Sequence, residues 1–208
     1  MTTNMGSSVI TLNGFVGGSS NQTLWDLRLV PSASKTRNQK FEFRISNELS
    51  GSSDISSNAL SMSTNYLTMS NGQLWNVMLQ RTTSSISGSG TQEYRLVTAL
   101  QDGDKIKQFS AVSMSVSGGL TNAYVTGGAA MSSSVHGLAY FANQNWLSTG
   151  SRHSTSGSNL VVGENISGSL SEIRGWEEIL EVNKFKQHIF NKFSTVGNTV
   201  TSSRDSLT

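Results

Sequence analysis

Cysteine is absent from the 208 residues. That excludes disulfides, thiol nucleophiles and cysteine-ligated zinc together, and it leaves the compartment open. Proline occurs once, at Pro31, and charge is scarce: 13% of residues, 15 basic against 13 acidic, for a net charge of +2. No run of like charge appears, so the basic footprint of a nucleic-acid binder is missing. No apolar run approaches the length of a membrane span. The opening MTTNMGSSVITLNGFVGG has neither a basic n-region nor the apolar core of a signal peptide. These absences predict a chain made in the cytoplasm, without a signal peptide of its own, without membrane insertion and without nucleic acid as a partner.

What is present is serine, threonine, asparagine and glycine, with 20 glycines and only 35% hydrophobic residues. That is enough for one core if apolar residues alternate, because a half-buried strand buries one face. Alternation is plain in Phe41–Ser46, where Phe41, Phe43 and Ile45 oppose Glu42 and Arg44, and in Leu24–Val30, where Trp25, Leu27 and Leu29 oppose Asp26 and Arg28. Leu74–Gln80, Tyr94–Leu100, Ile106–Val116 and Leu138–Phe141 read as further strands. Turns fall at Gly51, Gly72, Gly88, Gly103, Gly118 and Gly127, and Ser84–Gly90 reads as a hairpin tip. Ser50–Ser70 has no clean period and reads as short strands and loops. The expected organisation is an N-terminal connector over 1–8, one sandwich over 9–195 and a C-terminal connector over 196–208, in a chain of one domain that serves as a module of something longer.

The segment after Leu160 changes period. Leu160–Val162 and Ser169–Arg174 look like strands around a turn at Gly163–Gly168. From Trp176 the apolar positions Ile179, Leu180, Val182, Phe185, Ile189, Phe190 and Phe193 recur at threes and fours, as an amphipathic helix requires. Glu177, Glu178 and Glu181 near its start and Lys184, Lys186, His188 and Lys192 toward its end suit the helix macrodipole, and Gly197 is a plausible stop.

The order Gly168-Ser-Leu-Ser-Glu-Ile-Arg-Gly-Trp176 resembles the closing strand of laminin G-like, concanavalin A-type domains. Gly72-Gln-Leu-Trp-Asn-Val-Met-Leu79 is similar to another strand of that family, and Asp102-Gly103 falls where it has a hairpin. The likeness covers roughly residues 19–193. It implies an all-β fold, a concanavalin A-like (laminin G-like) antiparallel β-sandwich jelly roll with one C-terminal helix. The tail Phe185–Leu207 also resembles linkers in large structural proteins of marine tailed bacteriophages. That implies a non-enzymatic structural or surface module of a virion, in a fibre, tail or capsid decoration, forming a homo-oligomer or binding other virion proteins.

Chemistry is sparse. Sandwich-fold glycosidases need two carboxylates delivered to one cleft, and no E-x-D-x-E pattern exists. Asp102 and Asp104 are weak calcium candidates, because such a site needs 6 to 8 oxygen ligands and a hairpin turn accounts for both. His136, His153 and His188 are far apart and lack partners at metal-ligand spacing. No G-x-S-x-G elbow or phosphate loop is present. The loop Ala142–Ser154 offers the candidate glycan site, in which Asn143, Asn145, Trp146, Arg152 and His153 combine an aromatic platform with amide and guanidinium donors. The competing reading is that Trp146 anchors the loop into the core, where Trp25, Trp75 and Trp176 are also expected. Cell-surface glycans are therefore the alternative partner, and a polysaccharide-cleaving enzyme ranks last.

Overall fold

The computed structural model describes residues 7–16, 20–35, 37–45, 60–69, 72–82, 92–116, 159–163, 166, 168–176, 179–194 and 196–197. Among these residues nine strands and one helix run in the order β1 (Ser7–Val16), β2 (Ser20–Pro31), β3 (Asn38–Ile45), β4 (Leu60–Ser63), β5 (Leu67–Thr68), β6 (Leu74–Arg81), β7 (Gln92–Asp102), β8 (Lys105–Val116), β9 (Asn159–Val162) and α1 (Val182–Phe190). One antiparallel sheet has the order β4-β3-β2-β1-β9, with β5 paired to β3, and the second has the order β6-β7-β8. Pro31, which cannot donate to a ladder, closes β2 at its last residue.

Register turns alternation into a core. Pairing Leu27 with Phe43 and Leu29 with Phe41 places the apolar face of β2 beside that of β3. That face packs on Tyr94 and Leu96 of β7 and on Trp75, Val77, Leu79, Val112 and Met114 of its neighbours. Trp25, Phe43 and Tyr94 form a ring series across the two sheets, with centroids 6.2 Å and 5.7 Å apart. The opposite face of the small sheet is also covered: Met78, Val97 and Ala99 pack against Leu180, Phe185 and Ile189. The described chain is thus all-β apart from α1, with two antiparallel sheets face to face and the helix as a third layer. β7, in the middle, is buried continuously from Leu96 to Leu100.

A bulge assigns Ile106 to the helix layer. Leu100 pairs with Gln108 but Gln101 with Ile106, so Lys107 is extra. The shift moves Ile106 off the face of Val112 and Met114 and onto that of Phe109, over whose ring Lys186 Nζ lies 4.5 Å from the centroid. The β7–β8 hairpin turns at Gly103, as the Asp102-Gly103 pair predicts. Gly103 has φ +61° with nothing within 4 Å of where a Cβ would sit. Gly103→Ala is therefore expected to cost about 1 kcal/mol from backbone strain alone, read as a lower urea midpoint with an unchanged slope.

Three expectations are corrected. β1 has no counterpart among the predicted strands, because the register shift between Ser8 and Ile10 leaves Val9 extra and breaks its period of two, while the shift between Leu12 and Asn13 leaves Leu24 extra on β2. It begins at Ser7, inside the stretch 1–8 read as a connector. Second, the helix starts at Val182, not at Trp176. The Trp176 and His188 rings lie 4.9 Å apart, whereas twelve residues of helix would separate them by about 18 Å along the axis. The chain must double back between them. Third, Ser169–Arg174 forms no strand: Leu170 and Ile173 are three apart, so neither strand face would be apolar, and both are nearly half exposed. The Leu138–Phe141 strand and the Ser84–Gly90 tip lie outside the described residues.

Candidate functional site

β6 is the edge of its sheet among the described residues, and one bond sets its phase. Thr82 N donates to Glu93 O at 2.7 Å, so with the observed register residues 76, 78 and 80 exchange bonds with β7. Trp75, Val77, Leu79 and Arg81 therefore turn their N–H and C=O groups away from it. Along this edge lies a cavity of about 340 Å³, lined by both faces of β6, by the segment 169–176 and by the inner side of α1.

The polar groups on the β6 wall are unusual. Asn76 Nδ2, both amide atoms of Gln80 and Trp75 Nε1 are buried with no hydrogen-bond partner among the described residues. Each such group costs about 1–3 kcal/mol while it stays unmatched. The opposite wall is bonded at Glu172, Arg174 and His188. Arg174 donates through Nε to Glu172 at 2.6 Å and through Nη1 to the Ser194 carbonyl at 2.6 Å. His188 Nε2 lies 2.8 Å from the Val196 carbonyl. A carbonyl only accepts, so the proton is on Nε2, and Nδ1 is the acceptor 3.4 Å from Arg174 Nη1. These bonds tie the chain that follows α1 to the cleft wall. The Arg174 hydrogen bond holds the Glu172 carboxyl below the usual carboxylate range.

Elsewhere three carboxylates are committed to cross-strand pairs. Asp26 takes Arg44; Asp102 accepts from Lys107 Nζ at 3.3 Å. Glu42 accepts from Arg28 Nε at 2.7 Å and Lys40 Nζ at 3.1 Å. Burial raises the Glu42 pKa, but the bonds from Arg28 and Lys40 outweigh it and hold it below its ordinary 4.5. A carboxylate depressed in this way contributes stability above the unfolded-state value and loses it as pH falls through the folded-state value. The expected result is a urea midpoint that drops below about pH 4.5, with Glu42→Gln flattening that acid limb.

The sequence-predicted sites divide cleanly. Asn143, Asn145, Trp146, Arg152 and His153 lie outside the described residues, as does His136. Asp102 and Asp104 are exposed residues of the β7–β8 hairpin, and no group of three His, Cys, Asp or Glu that could hold a metal occurs among the described residues. His188, expected toward the end of the helix, is half-buried in the cleft wall. Sequence reasoning missed Asn76 and Gln80, because polar residues at alternate positions of a strand read as its solvent face. Among the described residues the covering segment 169–176 and the helix layer bury them. No family model, no curated protein and no solved structure matches the chain.

Proposed function

We propose that this chain is a non-enzymatic module of a bacteriophage virion surface, part of a fibre, tail or capsid decoration, with the topology of a concanavalin A-like, laminin G-like jelly roll. One observation carries the non-enzymatic reading: the unmatched groups of the cleft, on Trp75, Asn76 and Gln80, are an indole and two amides. Such groups hydrogen-bond but do not exchange protons near neutral pH, so they equip a cleft for recognition. Two face-to-face antiparallel sheets support the sandwich part of the proposal, and the resemblance of Phe185–Leu207 to phage structural linkers supports the virion part. Mass spectrometry of purified particles from the source of the chain tests it. The expected result is a fixed copy number per particle, and a chain found only free in lysate overturns the reading.

A second reading, a carbohydrate-binding adhesin for host recognition, is favoured by the same cleft. Trp75 and Trp176 line it beside Asn76 and Gln80, and sugars present an apolar face with a ring of hydroxyls. A glycan array run with and without calcium separates the two. Signal lost on Trp176→Ala would support the adhesin, and a blank array removes it.

A further inference from the structure

We infer that β6 is a self-pairing edge, onto which a second copy of this chain adds its own β6 antiparallel about a two-fold axis at Met78. The inference deepens the assembly side of the proposed function and rests on that reading for its biological setting. Its physical basis is separate.

The first observation is phase. Trp75, Val77, Leu79 and Arg81 turn their backbone groups away from β7, to the side on which no described strand pairs with β6. With the axis at Met78, Val77 faces the partner's Leu79 and Trp75 faces the partner's Arg81, and all four residues are in the outward phase. Each pair then exchanges two backbone hydrogen bonds.

The second observation is that this register also answers the unmatched amides. Asn76 and Gln80 lie symmetrically about Met78 on the same strand face. The axis sets Asn76 directly opposite the partner's Gln80, in a non-hydrogen-bonded pair whose Cβ atoms approach to about 4.5–5.5 Å. Asn76 Nδ2 needs an acceptor and Gln80 needs both a donor and an acceptor. A copy of the same strand supplies them, and two-fold symmetry makes the pair twice.

The third observation is charge and protection. Arg81 is the one charged residue of Leu74–Arg81, and in this register the two Arg81 residues sit about 20 Å apart, at opposite ends of the new pair. β6 also lacks the devices that blunt edges: it has no proline, no lysine and no bulge. The other edge of the same sheet, β8, carries Lys105, Lys107 and a bulge beside them. The segment 169–176 lies beside the β6 edge without ladder bonds, with Leu170 46% and Ile173 48% exposed. Its part before Glu172 is what yields to the incoming strand, while Arg174 stays tied to Ser194.

The test uses the full 208-residue chain. Light scattering after size exclusion, from low micromolar to near-millimolar concentration, should show the mass rising from one chain to two, with the Val77 and Leu79 amide protons gaining protection from exchange. Val77→Pro removes an outward N–H that makes no bond to β7 and should hold the mass at one chain. If that variant does not fold, the pair Asn76→Leu and Gln80→Leu carries the test. It should weaken association about tenfold or more while leaving the unfolding midpoint equal or higher, because unmatched buried amides are replaced by apolar groups. A single-chain mass at every concentration overturns the inference, and so does a dimer that neither variant weakens. So does association in which Val77 stays unprotected, or in which the edge takes a strand from a different protein. A β6 dimer formed by a chain missing from particles sinks the virion reading alone, and a monomer recovered from particles sinks this one alone.

Discussion

Phe43→Ala is expected to remove about 4 kcal/mol of unfolding free energy, the largest single-residue loss foreseen for this fold. Phe43 is fully buried and sits between Trp25 of the large sheet and Tyr94 of the small one. It is one of two β3 rings, with Phe41 on Trp75, through which the two sheets meet. Truncation forfeits the transfer free energy of the ring and leaves a cavity whose walls are other rings on separate sheets. Such walls cannot collapse without changing the spacing of the sheets. Because whole domains hold only about 5–15 kcal/mol, the variant should be partly unfolded near physiological temperature. Urea unfolding followed by tryptophan fluorescence measures the effect, and a loss below about 1.5 kcal/mol would mean that the sheets repack freely around the site.

Asp26→Ala is expected to cost about 3 kcal/mol, more than any exposed ion pair could. Asp26 stands directly across from Arg44 in the β2–β3 register. The guanidinium holds the carboxylate through two bonds, with Nε 2.9 Å from Oδ1 and Nη2 on Oδ2. Side-chain exposure is 4% for Asp26 and 14% for Arg44, so truncation leaves a guanidinium with little water to replace its partner. The double variant Asp26→Leu with Arg44→Met should recover most of the loss, because neither charge then needs a partner. A double-mutant cycle reads the coupling. If Asp26→Ala costs under about 1 kcal/mol, the pair behaves as a solvated one and its burial does no energetic work.

How much of this was legible without coordinates follows from what each feature depends on. Strands β2 and β3 were readable because their period of two is local, β6, β7 and β8 because glycine turns bound them, and the Asp102-Gly103 hairpin because a left-handed turn residue selects glycine wherever it occurs. β1 was not readable, since the bulge at Val9 shifts its register to suit β2, a partner outside its own sequence. The helix was found but drawn too long: the threes-and-fours pattern from Trp176 to Leu180 arises from residues that meet the helix across space, as the Trp176 and His188 rings do. Nothing in that pattern separates the two arrangements.

The candidate site followed the same division. Alternation by itself determined that Asn76 and Gln80 share one face of a strand with Met78, and scarce charge by itself determined that the edge is almost neutral. Only the tertiary structure decided that this face is buried, because burial there depends on α1 and on the segment 169–176, about a hundred residues away along the chain. Local propensity fixes which side chains point together. What they point at is set by long-range packing, and that is why unmatched amides on a strand that is an edge among the described residues could be found only in three dimensions.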